Sequence, residues 1–193
     1  MNIQIQGNRP ATAPMPVPWQ KEQVWQEVAQ YFQTMDRACR ESLDPVRTLA
    51  LSIRQSLERL SEPMDELCAV SCPDCRDICC ERATIWYDFK DLAYHYFAFG
   101  YLPPEQIRKI KGPGRAPCCS MLTETGCSLP RSRRPFVCTW YICPAQRSML
   151  GTPSCHADLA KIPELVKSLR NRLEDRFCRI SAGHFPSAPA PKV

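Results

Sequence analysis

Thirteen consecutive residues, Cys68-Ala-Val-Ser-Cys72-Pro-Asp-Cys75-Arg-Asp-Ile-Cys79-Cys80, hold five of the 13 cysteines in this 193-residue chain. A second group follows as Cys118-Cys119, Cys127, Cys138 and Cys143. A Cys-x2-Cys pair such as Cys72 and Cys75 allows a tight turn to aim both sulfurs at one ion, with backbone amides free to hydrogen-bond the thiolates. Cys75-x3-Cys79-Cys80 extends that pair at once, and Cys138-x4-Cys143 supplies a distant return. The spacing points to a metal or cluster site made of thiolates from two separated segments.

The compartment decides whether such cysteines hold metal or pair as disulfides. The first residues, Met1 to Arg9, lack the charged start and apolar run of about 7–15 residues that mark a secretory signal. No window approaches the roughly 18 uninterrupted apolar residues of a membrane span, since Asp88, Lys90, Asp91 and His95 interrupt even the aromatic stretch from Trp86 to Tyr101. The expectation is a cytoplasmic protein with no membrane partner, in which closely spaced cysteines are metal ligands or redox groups. An odd cysteine count also leaves one thiol over from any complete pairing. A net charge of +5 and a pI near 8.6 are only mildly basic, which argues against a nucleic-acid partner.

The elements that must position these cysteines read as helices. Residues 1–18 carry Pro10, Pro14, Pro16 and Pro18 without a hydrophobic period and read as a disordered, solvated arm. From Trp19, Val24, Val28, Tyr31, Met35 and Cys39 recur at three- and four-residue steps, so an amphipathic helix is predicted with Cys39 on its core face. Asp44-Pro45 restarts the chain with proline in the first turn, and Val46, Leu49, Ile53, Leu57 and Leu60 form the next apolar face. Pro63 is read as the first turn of a further short segment, 61–67, leading into the cysteines, so residues 19–67 form a helical hairpin that presents the cluster.

Asp88 and Asp91 open a helix that runs through Leu92, His95, Tyr96 and Phe99 to Gly100, with His95 as a packed core residue. Pro103-Pro104-Glu105 begins another short helix through Ile107 and Ile110. Residues 119–143 hold prolines and a Thr125-Gly126 turn but no long period, so metal ligation would have to fix them. Residues 146–181 are read as a C-terminal helix with Leu159, Val166, Leu169, Leu173, Phe177 and Ile180 on its inner face, and 182–193 as a disordered tail. The expected fold is mainly α, with a helical hairpin and a C-terminal helix around an irregular, loop-rich cysteine-ligated core at 68–145.

Three blocks carry a resemblance to a known family: Cys72-x2-Cys75-x3-Cys79-Cys80, then Cys119-Ser-Met-Leu-x4-Cys127-Ser-Leu, then Arg134-Pro135-x2-Cys138-x2-Tyr141-x-Cys143. Together they resemble the YkgJ-type cysteine-cluster proteins, described as zinc- or iron-chelating domains. The likeness covers roughly residues 68–145, and Arg76-Asp77-Ile78 place three residues before the double cysteine where many members have two. The resemblance implies ligands at Cys72, Cys75, Cys79, Cys80, Cys119, Cys127, Cys138 and Cys143. Cys118 competes with Cys119 for one place, Cys68 is a further candidate, and Cys39, Cys155 and Cys178 lie outside the pattern as ordinary thiols.

Zinc and iron-sulfur centres both accept four thiolates, so ligand count does not separate them. The irregular spacing of Cys119, Cys127 and Cys138 leans toward a [4Fe-4S] cluster, because structural zinc favours two compact knuckles. Among Arg131, Arg133 and Arg134, the last is the expected inward partner of the cofactor, since Pro135 fixes the chain just after it. The functional expectation is a cytoplasmic metal-binding protein with a redox, sensing or structural role and a protein or redox partner. The alternatives are a zinc-stabilised interaction module or an enzyme related to the cysteine domain of flagellin lysine-N-methylases. Cys68-x3-Cys72-x2-Cys75 also has the spacing of radical S-adenosylmethionine enzymes, but too few residues follow for a barrel of about 200 or more.

Overall fold

A computed structural model describes residues 21–73, 75, 85–104, 119, 121–123, 126–150 and 159–184. The described chain is mainly helical. Helix α1 spans Glu22–Ala38 and α2 spans Asp44–Ser71, and together they make the expected hairpin. Helix α3 is Phe89–Phe99. A two-stranded antiparallel hairpin, β1 Leu122–Thr123 and β2 Gly126–Cys127, is followed by a 3-10 turn at Arg131–Arg133 and two short helices, α4 Val137–Trp140 and α5 Pro144–Leu150. A second 3-10 turn, Leu159–Lys161, leads into α6, Ile162–His184.

The core is helix against helix. Helix α2 packs on both α3 and α6, which also pack on each other. From α1 come Trp25, Phe32 and Met35, all buried, while Val24, Val28 and Tyr31 pack less deeply against the same cluster. The Phe32 ring meets Phe89, Tyr96, Phe97 and Phe177 with centroids 5.3 to 6.0 Å apart, so one aromatic side chain joins α1, α3 and α6. Burying a residue of this size is worth about 1.5–3 kcal/mol, so this cluster contributes substantially to holding the helices together. The cysteine-bearing segments sit at the edge of that core, against the C-terminal end of α2. The helices therefore share an apolar core of their own, apart from the cysteine-bearing segments.

Several local signals read from the sequence have their structural counterparts. Asp88 and Asp91 form a reciprocal capping box at the start of α3, and Gly100 ends it in the left-handed conformation at φ +82°. Pro45 lies in the first turn of α2. His95 is buried and packs edge-on to Tyr87 and Tyr94. Cys39 is buried in the core and Cys178 is exposed.

Other boundaries differ. Helix α1 begins at Glu22, and Trp19 lies outside the described residues. Helix α2 runs unbroken through Pro63 to Ser71, because Leu57 and Leu60 before the proline and Met64 after it are buried on one face. Cys68 therefore lies on the second helix of the hairpin itself. Within the expected 146–181 region the described residues form α5, ending at Leu150, and α6, Ile162–His184 with Pro163 in its first turn, and 151–158 lie outside the described residues. The arm 1–18, Cys155 and most of the segment 103–118 lie outside the described residues. No described helix is long and apolar enough to cross a membrane.

Candidate functional site

The end of α2 carries Asp65, Cys68, Ser71 and Cys72 within two turns, spacings of three and four that put the first three on one face. The chain then turns tightly. The Cys72 carbonyl accepts the Cys75 N–H at 3.2 Å, the one-turn geometry anticipated for a Cys-x2-Cys pair. Cys79 and Cys80 lie outside the described residues.

The second cysteine segment is fastened to α3 before it reaches α2. Tyr87 and Tyr94 donate their hydroxyls to the carbonyls of Arg133 and Ser132, each at 2.8 Å. The Phe136 N–H points to the Asp91 carboxylate at 3.2 Å. Residues 132–136 are thereby held along α3, and the cysteines on either side follow. In β2, Gly126 has φ +116°, a region costly for any residue with a side chain, and a Cβ there would lie 3.6 Å from the Cys68 Cβ. This close approach sets the hairpin directly on α2.

Two guanidinium groups are buried at this junction. Arg131 is 2% exposed and Arg134 is 7% exposed. Both reach the same oxygen, Asp65 Oδ1, at 3.2 and 3.0 Å. Arg134 also donates Nε to the Leu129 carbonyl at 2.8 Å. The Arg131 Nε is buried without an acceptor, and its Nη2 stands 3.9 Å from the Cys68 sulfur. Burial pushes the Arg131 guanidinium below its ordinary range, with the Arg134 charge adding to that shift and Asp65 opposing it. Two buried cations share one half-exposed carboxylate, so among these groups one positive charge is left over.

The sulfurs lie around that charge to different degrees. Cys68 and Cys127 line one open cavity of about 310 Å³ with Asp65, Ser128, Leu129, Pro130 and Arg134. The Cys143 sulfur accepts the Gln146 N–H, and the Cys68 sulfur accepts the Gln146 side-chain amide, each at 3.4 Å. Cys72, Cys75, Cys119, Cys127, Cys138 and Cys143 are all half-buried, and no disulfide joins two described cysteines. Among the described residues, no three His, Cys, Asp or Glu side chains form a group that could hold a metal ion. The surroundings nevertheless fit a thiolate centre: N–H donors aimed at sulfur, an orphaned guanidinium nitrogen and surplus buried positive charge all favour an anionic occupant.

Arg134 is buried against Asp65, Arg131 is buried more deeply, and Arg133 is exposed and lies over the Phe99 ring at 5.6 Å. From sequence, Arg131 stands beside Arg133 and Arg134 with Arg134 preferred, while Asp65, Ser71 and Gln146 are not singled out. For Asp65 and Ser71 the signal is helical spacing to Cys68, visible once α2 is continued past Pro63. For Gln146 it is the three-residue step from Cys143 across a helix start.

No family model matches the chain, and no curated protein or solved structure matches it. The likeness to the cysteine-cluster proteins therefore rests on residue spacing alone.

Proposed function

We propose that this chain is a cytoplasmic metal-binding protein of the cysteine-cluster kind, with thiolates from Cys72, Cys75, Cys79, Cys80, Cys119, Cys127, Cys138 and Cys143 holding an iron-sulfur cluster or zinc. The observation that supports this reading best is the burial of Arg131 and Arg134 on the single carboxylate of Asp65, where the two cysteine segments meet. A buried surplus cation is costly unless an anion accompanies it, and a four-thiolate unit on a divalent ion carries about −2. Arg134 offsets that charge and tunes the centre. When bound, an iron-sulfur cluster would supply one-electron chemistry at a potential set by its hydrogen bonds and burial. Zinc would supply rigidity alone.

The zinc alternative has one feature in its favour. Trp140 and Tyr141, between Cys138 and Cys143, are 50% and 44% exposed and pack edge-on to each other, a surface suited to a protein partner. Anaerobic purification followed by elemental analysis and a visible spectrum separates the two readings. Iron with sulfide and visible charge-transfer absorbance supports a redox or sensing centre, and a colourless chain with stoichiometric zinc supports the interaction module. Less than one metal per chain after expression in metal-replete medium rejects both.

A further inference from the structure

We propose that Cys68, which lies outside the eight-cysteine pattern, is a sulfur ligand of the same centre as Cys143, and that Gln146 is the hydrogen-bond donor that orients both. This rests on the thiolate-centre reading above and extends its ligand set.

One residue reaches two sulfurs from distant parts of the chain. Gln146 gives its backbone N–H to Cys143 Sγ and its side-chain Nε2 to Cys68 Sγ, both at 3.4 Å. The same Nε2 lies 3.1 Å from Ser71 Oγ, which fixes the amide against α2. Gln146 is 5% exposed, so water does not compete for these bonds. The sulfurs of Cys68 and Cys143 are thus held on one side chain although 75 residues separate them. No hydrophobic-core argument places a glutamine there, whereas a donor bridging two thiolates is what outer contacts of metal-bound sulfur provide.

The second observation is the charge. Arg131 is buried, its Nε has no acceptor among the described residues, and its Nη2 lies between Asp65 Oδ1 at 3.2 Å and Cys68 Sγ at 3.9 Å. A neutral thiol is a weak acceptor and gains little from a buried guanidinium. A metal-bound thiolate keeps its negative charge and would offset the buried cation that Asp65 alone must share with Arg134. The third is space: Cys68 opens with Cys127 onto a cavity of about 310 Å³, and Cys143, which does not line it, is tied to Cys68 through Gln146. Cys39 gives the contrast: it is a buried thiol among apolar neighbours, as an ordinary core cysteine should be. The fitting occupant is a thiophilic cation, zinc or iron, that takes sulfur from the end of α2 as well as from the start of α5.

Cobalt(II) titration of the full-length apo chain tests this, because sulfur-to-cobalt charge-transfer absorbance grows with each thiolate bound. Cys68→Ser should lower that absorbance by about a quarter for a four-sulfur site and weaken cobalt retention against a chelator at least tenfold. Gln146→Leu, which leaves every sulfur in place, should keep the absorbance but weaken retention by about 10–100-fold. Because Cys68→Ser could perturb folding, wild-type protein is also alkylated with iodoacetamide and mapped by mass spectrometry. Cobalt should protect Cys68 together with Cys143. If cobalt binds and protects Cys143 while Cys68 is alkylated at the apo rate, or if Cys68→Ser binds as wild type does, the inference is wrong and the centre stands without it. If the wild-type chain takes up no cobalt, zinc or iron, the centre itself falls.

Discussion

The Asp91 carboxylate of α3 accepts the backbone N–H of Phe136 at 3.2 Å, two residues before Cys138. Arg170 of α6 reaches the same carboxylate at 2.8 Å, reaches Asp88 at 2.6 Å, and lies over the Phe136 ring at 4.2 Å. One acidic side chain therefore caps a helix, pairs with a buried arginine and pins the cysteine segment to the helical body.

Asp91→Ala should remove all three roles and leave Arg170 with Asp88 alone. Loss of one partner from a buried ion pair costs about 3–5 kcal/mol, read as a lower midpoint of urea unfolding at pH 7.5. Burial pushes the Asp91 carboxyl from its ordinary 3.8 up to about 7, with Arg170 pulling the other way. The folded chain then holds this proton more tightly than the unfolded chain. The contribution is complete below pH 3.8 and is lost as pH rises through about 7. Subtracting the Asp91→Asn stability curve from that of wild type isolates it, and a flat difference between pH 4 and 7 would refute the assignment.

His95 predicts the opposite slope. Both ring nitrogens are buried without a partner among the described residues, and burial, aided by the Arg133 charge, lowers the imidazole from 6.5 to about 3. The unfolded state binds this proton first, so stability from this group is full above pH 6.5 and declines as pH falls toward 3. His95→Phe keeps an aromatic ring among Tyr87, Tyr94 and Phe99 and should flatten that acid limb. Unfolding midpoints at pH 7 and 4.5 give the measurement. An unchanged difference between the two pH values rejects the buried neutral histidine.

Asp65→Ala should strand Arg131 and Arg134 together. Asp65 is 47% exposed, so solvent softens the loss to about 1–3 kcal/mol. Adding Arg131→Met should restore part of the stability, because it removes the surplus buried charge. A double variant no more stable than Asp65→Ala in thermal unfolding would show that the charges are not coupled.

If the proposed centre is loaded, removing its metal should loosen the cysteine segments and spare the helices. Amide exchange over residues 119–143 is expected to accelerate on chelation, while α1, α3, α6 and the first five turns of α2 keep their protection, because they share a buried apolar core. Uniform loss of protection across the chain would mean that the core depends on the centre after all.

The helices were legible because their information is local. The apolar steps of α2 and α6, the capping box at Asp88 and Asp91, proline in a first turn and glycine at Gly100 each act within one or two turns. Their ends were less legible, since Pro63 alone argues for a break. It is overruled by the burial of Leu60 and Met64 on either side, which is a tertiary contact.

The cysteine spacing by itself determined the chemistry that the chain can offer, because sulfur is a soft donor wherever it lies and close pairs must turn together. The tertiary structure alone decided which groups surround that sulfur. Arg131 and Gln146 meet Cys68 from 63 and 78 positions away, and no linear pattern records that encounter. Which of three neighbouring arginines turned inward was settled the same way: Tyr87 and Tyr94 hold the carbonyls of Arg133 and Ser132, and the side chains of Arg131 and Arg134 take the buried side that remains.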